Sequence, residues 1–393
     1  MTSILEKHPL DCYTLYQPLV SPVLRWEFLK GLFDIELDLA SISATDRAYE
    51  SFFHRYHSLC TLAANKSPSI NEITHYRFLR VIGWLKNEKF DEVVRCTVLT
   101  TVFNEFQSEQ NPCLQDIQTQ EDAAEVIQTL LDLAASTWLM LTVGKFPGDA
   151  TYDEPVSWHR KQPLHFLTNL PNKTPLHLSQ SQAAYPSVLT ATFPPQPSSN
   201  DKIKLPQTFT ASPLETIGGI QINWTSNLAD HLLLRDDDTV LLLFHQISIL
   251  DLHALSPTSP LPRDLIDETI RTTSLLIPPV LGSPNPWFLR RQQASSHSPL
   301  DAAAGLCKRL NSTDRQIENF HYWRDRLVLL KRTFDEAEPR TVRQLWEDDR
   351  KRAQWFTFWV AVLVFVMTVV FGVVQSVAGI VQAWASVKAL RQG

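Results

Sequence analysis

Trp355-Phe356-Thr357-Phe358-Trp359-Val360-Ala361-Val362-Leu363-Val364-Phe365-Val366-Met367-Thr368-Val369-Val370-Phe371-Gly372-Val373-Val374 is a run of 20 residues without a charge, and its only hydroxyls are Thr357 and Thr368. At about 1.5 Å per residue, such a run makes a helix about 30 Å long, the thickness of a bilayer core. Thirteen of the positions are Val, Leu or Phe. At about −0.3 to −0.6 kcal/mol each, these favour insertion by roughly 4 to 8 kcal/mol in total. A helix in a soluble core keeps a polar stripe, and this run has none. A membrane-spanning helix is therefore expected over residues 355–376.

The uncharged stretch continues to Val387, but Gln375–Val387 is only 13 residues and carries Gln375, Ser376, Gln382 and Ser386. No second span fits there, and residues 377–393 are expected to form a short tail. Trp355, Phe358 and Trp359 at one end and Trp384 at the other occupy positions that aromatic anchors favour at membrane interfaces. Arg340, Arg343, Arg350, Lys351 and Arg352 precede the span, while only Lys388 and Arg391 follow it. The positive-inside tendency then places the bulk of the chain in the cytosol. The N-terminal residues 1–20 include Glu6, Lys7, His8 and Asp11 and lack an apolar signal-peptide core, so a C-tail anchor is expected. Gly372-x-x-x-Ser376 and Gly379-x-x-x-Ala383 are small-xxx-small pairs on one helix face, a pattern that lets helices approach closely in lipid and favours self-association.

Composition narrows the chemistry of the rest. The 36 Lys and Arg against 42 Asp and Glu leave a net charge of −6, which gives no basic face for nucleic acid. Only 11 of 393 residues are Gly, and Gly218-Gly219 is the sole adjacent pair. No phosphate loop, dinucleotide fingerprint or nucleophile elbow can be assembled from them. Cys12, Cys60, Cys96, Cys113 and Cys307 show neither a C-x-x-C motif nor close pairing, so reduced thiols are expected rather than a disulfide framework or zinc site.

The fold class expected is mainly α with a smaller α+β unit, followed by one C-terminal transmembrane helix. Residues 1–146 read as a helical domain. Ser21-Pro22 opens one helix, the capping box Ser69-Ile70-Asn71-Glu72 a second, and a third runs from near Thr119 to about Val143. Residues 147–213 are a proline-rich connection, with a boundary expected in Phe193–Lys202. Residues 214–338 form the mixed unit. Ile220, Ile222 and Trp224 alternate as in a strand, Thr225 or Ser226 caps a short helix through Leu234, and a second strand covers Thr239–Phe244. Further helices are expected over Arg263–Leu276 and Asp314–Pro339, the latter with Phe320, Trp323, Leu327, Leu330 and Phe334 as its seam. Thr341-Val342-Arg343-Gln344 is a capping box that opens a juxtamembrane helix over 341–354.

Few residues point to catalysis. Asp236-x-Asp238-x-Val240 matches a phosphatase pattern, but its better strand follows the acidic group, so a solvated turn is expected. His54-x-x-His57 lacks further metal ligands nearby. His231, His245 and His253 share the 220–255 unit with Asp230 and Asp251, where convergence would make a hydrolase-like site.

Ile222-Asn223-Trp224-Thr225-Ser226-Asn227-Leu228-Ala229-Asp230-His231-Leu232, Leu265-Ile266-Asp267-Glu268-Thr269, Tyr322-Trp323-Arg324-Asp325-Arg326-Leu327 and Leu345-Trp346-Glu347-Asp348-Asp349-Arg350 together resemble a broad group of proteins of filamentous ascomycete fungi that end in one hydrophobic helix. That group carries no activity over to this chain. The closing layout is distantly similar to the stalk and anchor of CorA-type magnesium channels, but Met367 lies in Val366-Met367-Thr368 rather than in Gly-Met-Asn, and the second span is missing. The function expected is a membrane-tethered interaction or scaffold protein. The bilayer is its partner, self-association is open to it, and no cofactor, metal or nucleic acid is expected. A membrane-anchored hydrolase and an ion-channel relative are the alternatives.

Overall fold

The computed structural model describes residues 8–36, 48–86, 102, 120–144, 156, 158, 188–196, 203–280, 282–295, 298–337 and 352–392. It is mostly helical, with one three-stranded sheet and a C-terminal apolar helix.

Among the described residues four helices build the first part: α1 Pro22–Phe33, α2 Glu50–Lys66, α3 His75–Lys86 and α4 Gln120–Leu139. Helix α1 begins where Ser21-Pro22 places it, because the missing proline N–H belongs among the unpaired donors of a first turn. Phe28 lies at the centre, with the rings of Tyr56, Phe53 and Phe78 at 4.7, 6.0 and 6.2 Å. The capping box at Ser69–Glu72 does not open α3. Those residues form a 3-10 turn, Pro68–Glu72, and the helix starts at His75. The chain is held extended between the two because Leu15 N–H donates to the Ile73 carbonyl and His75 N–H to that of Tyr13. Thr74 Oγ1 then accepts from Arg77 N at 3.3 Å and takes the capping role. Helix α4 stops four residues short of the expected end: Met140 adopts a left-handed backbone (φ 55°), and Val156 N–H then donates to the Thr142 carbonyl at 2.6 Å.

Short helices α5 Val188–Thr192 and α6 Ala211–Thr216 lead into the mixed unit. Of the stretch expected to carry a boundary, Phe193 packs edge-on against Trp323 at 5.8 Å, and Gln196 N–H donates to the His321 carbonyl; residues 197–202 lie outside the described part. The strands are β1 Gln221–Thr225, β2 Leu233–Arg235 and β3 Val240–Phe244. Their order is β1-β3-β2; β1 runs parallel and β2 antiparallel to β3, in the registers Trp224↔Leu243 and Leu234↔Leu241. The apolar run Val240-Leu241-Leu242-Leu243-Phe244 takes the central place, as a strand covered on both faces requires. The helix expected from Thr225 through Leu234 is instead a 3-10 turn, Leu228–Asp230, capped by Asn227 and followed by β2. Leu232 turns left-handed (φ 61°) and gives its N–H to the Leu242 carbonyl, which draws the chain into the sheet.

Helices α7 Ile247–Leu255, α8 Arg263–Leu276, α9 Pro286–Ala294 and α10 Arg324–Glu336 complete the body. Helix α8 matches its expected range. Helix α10 begins ten residues later than expected because Glu268 captures the chain ahead of it. Its carboxylate accepts from the backbone N–H of His321 (2.7 Å), Tyr322 (2.9 Å) and Trp323 (2.7 Å). The buried apolar residues from Leu10 to Phe334 form one continuous cluster across both parts. The Thr341–Gln344 box lies outside the described residues. Helix α11, Arg352–Gln392, then runs unbroken through the span and the stretch expected as a tail.

Candidate functional site

Two features stand apart from the core. The first is α11. Its segment Phe356–Lys388 is 33 residues long, is apolar enough to cross a membrane, and has none of its apolar window buried. At about 1.5 Å per residue this is roughly 50 Å of helix, more than the ~30 Å of a bilayer core, so a crossing helix would have to tilt or overshoot. Trp359 meets Phe358 edge-on at 5.7 Å, and Lys388 Nζ lies 5.1 Å over the Trp384 ring near the far end. Trp355 falls in the first turn. Gly372 and Gly379 have open space where a Cβ would stand, and Ala383 is exposed. The hydroxyls of Thr368, Ser376 and Ser386 donate to the carbonyls of Val364, Gly372 and Gln382, one turn back, so these side chains present no unsatisfied polar group to lipid. Of the basic residues before the span, Arg340, Arg343, Arg350 and Lys351 lie outside the described residues.

The second feature is a cleft of 690 Å³ between α2, the whole of β1 with the turn after it, and the end of α9. From α2 come Ser51, His54, Arg55, Ser58, Leu59 and Leu62. They recur at steps of three and four, the spacing that lines residues up on one helix face. Opposite stand Asn223, Trp224 and Ser226, with Trp224 braced by Phe288 at 5.6 Å and Trp287 at 6.0 Å.

Here the structure brings together three residues in the order of a hydrolytic triad, Ser226, His245 and Asp301, but their wiring is reversed. Ser226 Oγ lies 3.2 Å from His245 Nε2. The other ring nitrogen, Nδ1, receives the backbone N–H of Asp301 at 3.3 Å. A backbone N–H only donates, so Nδ1 is the acceptor and the ring proton sits on Nε2. His245 thus gives a proton to Ser226 instead of drawing one from it. The Asp301 carboxylate faces away, accepting from Ser248 N (2.6 Å), Ser248 Oγ (2.7 Å) and Ala303 N (3.0 Å) at the start of α7. Burial raises the Asp301 carboxyl to about 6, against the pull of the Ser248 bonds. Burial, with Arg55 nearby, lowers His245 to about 3 and keeps the ring neutral.

The other histidines do not join this cleft. His231 is fully buried; its Nε2 meets Thr272 Oγ1 at 2.7 Å, and its Nδ1 accepts from Phe244 N at 3.3 Å. His253 meets Ser259 Oγ at 3.0 Å through Nδ1 and abuts Phe33 edge-on at 4.8 Å. Asp230 accepts from Asn227 Nδ2, and Asp251 lies in α7. Asp236, Asp237 and Asp238 form an exposed left-handed turn (φ 52°, 53° and 63°) between β2 and β3, as a solvated turn would. His54 lines the cleft but His57 does not, and no group of three metal-ligating side chains occurs among the described residues. The signal for the cleft was present in the α2 spacing and in Ser226, but nothing local to either stretch pairs them. No family model matches the chain, and neither a curated protein nor a solved structure is similar to it.

Proposed function

We propose that the chain is a single-pass membrane protein that holds its folded body against the cytosolic face of a membrane and acts there as an interaction or scaffold protein. The unburied 33-residue apolar helix carries this reading. The excess of Arg and Lys before the span supports the cytosolic side. The open Gly372 and Gly379 positions favour self-association within the bilayer. A role without catalysis follows from the wiring of Ser226, whose histidine neighbour already carries its proton on the facing nitrogen. Such a serine has no base to activate it.

The membrane and topology parts are tested together. A glycosylation acceptor is added after Gly393, membranes are washed at alkaline pH, and modification is scored by gel shift. Asn65, Asn172, Asn223 and Asn311 already stand in acceptor sequons and report on the other side. Modification of the added site alone agrees with a cytosolic body, whereas modification at the native sequons reverses it. The proximity of Ser226 and His245 keeps a membrane-anchored hydrolase as the second reading. Hydrolysis of p-nitrophenyl acetate by the purified chain, abolished by Ser226→Ala and by His245→Ala, would establish that enzyme and end the scaffold reading.

A further inference from the structure

We propose that the cleft between α2 and β1 is a binding site for a small organic anion, one phosphate or carboxylate group carried on an apolar or aromatic body. Four observations converge on that chemistry.

First, the described residues of the lining include Arg55, Arg291 and His54 but no Asp or Glu. Arg55 is nearly buried and donates through Nη2 to the Leu141 carbonyl at 2.8 Å, which fixes its charge at the cleft wall. Arg291 is held at the rim by an ion pair with Glu215, which itself receives Trp287 Nε1 at 2.8 Å and is not part of the lining. Glu215 offsets much of the Arg291 charge, so Arg55 supplies the positive character of the wall, and a concave, low-dielectric surface focuses that potential on an anion.

Second, Ser226 is left as a donor toward the cleft. Its Oγ accepts from His245 Nε2, as argued above, and from Gln246 Nε2 at 3.0 Å. The amide is oriented by the Ser51 carbonyl, which accepts from the same Nε2 at 3.4 Å. With both lone pairs of Ser226 engaged, its own O–H has to donate, and no acceptor for it is found among the described residues. A ligand oxygen in the cleft fits that proton.

Third, the arrangement is supported from behind by buried groups. Gln246 is fully buried and His245 nearly so, so the Ser226 oxygen is held from two sides by side chains that cannot swing away. Such backing is what a binding group needs to act without reorganising. Fourth, Trp224 supplies an aromatic wall, and a 690 Å³ cavity falls within the range of small-molecule sites.

The test is calorimetric titration of the full chain in detergent with phenyl phosphate, with benzoate, and with benzyl alcohol as the uncharged counterpart. The proposal expects either anion or both to bind and the alcohol not to bind. Phosphate and carboxylate selectivity are read from the first two arms. His54→Glu, on an exposed position of α2, sets a carboxylate in the lining and should weaken the anion by at least about tenfold. Ser298→Glu does the same from the opposite wall and serves if the first variant folds poorly. Arg235→Glu, in β2 and outside the lining, sets no carboxylate in the cleft wall and should leave affinity within about twofold. Failure of both anions to bind, equal binding of benzyl alcohol, or unchanged affinity in both folded glutamate variants overturns the proposal.

Discussion

Glu268 shows how one buried side chain redirects the backbone. Its two oxygens take three successive N–H groups ahead of α10, where a helix would otherwise leave donors unpaired. Trp323 then gives its indole N–H to Thr269 Oγ1 at 2.9 Å, so α8 grips the same turn twice. Glu268→Gln keeps the shape but loses the charge and turns an amide toward one donor; a loss of about 2 to 4 kcal/mol is expected in denaturant melts. A variant as stable as the parent would refute the clamp. The buried histidines set the pH response. His231, His245 and His253 are lowered to about 3 and His75 to about 4, in each case chiefly by burial. Their folded values lie below the unfolded one near 6.5, so the unfolded chain binds more protons in acid. Their contribution is full above about pH 6.5 and is lost as the pH falls toward the folded values. Each costs about 1 kcal/mol between pH 7.5 and 5.5, so the four together remove roughly 4 to 6 kcal/mol. Asp301, raised to about 6, runs the other way and returns about 1 kcal/mol over that interval. Melts at the two pH values should show a clear net loss; a flat profile means that the rings are not buried neutral.

At the scale of the element, α11 carries its whole message in its own residues. Phe365→Arg together with Val369→Arg places two charges near the middle of the span. At about 2.5 to 3.5 kcal/mol each, they offset the roughly 4 to 8 kcal/mol that favours insertion. The double variant should leave the alkaline-washed membrane fraction, and retention equal to the parent would mean that α11 does not cross the bilayer. The junction of α6 and α10 is instead a matter of close approach. A Cβ on Gly218 would meet the Leu214 carbonyl oxygen at 2.7 Å and the Phe334 ring at 2.9 Å. Backbone cannot yield as a flexible side chain does, so Gly218→Ala should cost about 1 to 3 kcal/mol. Periodicity was sufficient for α1 and α8, whose apolar stripes and end signals agree. It failed for β2, three residues long, whose conformation is imposed by pairing with β3. It failed as well for the start of α10, where Glu268 from α8 intervenes.

Across the whole molecule, the two parts separated in sequence share hydrogen bonds at one seam. Thr142 N–H and Ala229 N–H both donate to Asn227 Oδ1 at 3.3 Å, Leu228 N–H donates to the Met140 carbonyl, and Gln246 Nε2 donates to the Ser51 carbonyl. With one continuous apolar core, amides of α3 and β3 are expected to exchange with deuterium through the same global opening. Asn227→Ala should lower that opening energy by about 2 to 3 kcal/mol in both elements, because it strands buried donors on each side of the seam. A drop confined to the sheet would show that the parts open independently. Three stretches far apart in the chain also meet: Arg326 donates to the carbonyls of Ala229 and His231, and the backbone N–H groups of Tyr322 and Trp323 donate to Glu268.

Local residue patterns suffice for the helical character of the body, for strands β1 and β3, and above all for the apolar C-terminal helix. Each of these is a sum of local terms: residue transfer energies, helix and strand periods, and a proline or cap at an end. Long-range packing alone sets Ser226 before His245 and Gln246, turns the Asp301 backbone rather than its carboxylate to the histidine, and closes α2 over β1 to form the cleft. Those relations join residues from 19 to 174 positions apart in the chain, through side-chain orientations that hydrogen-bond pairing and burial fix only once the core has closed.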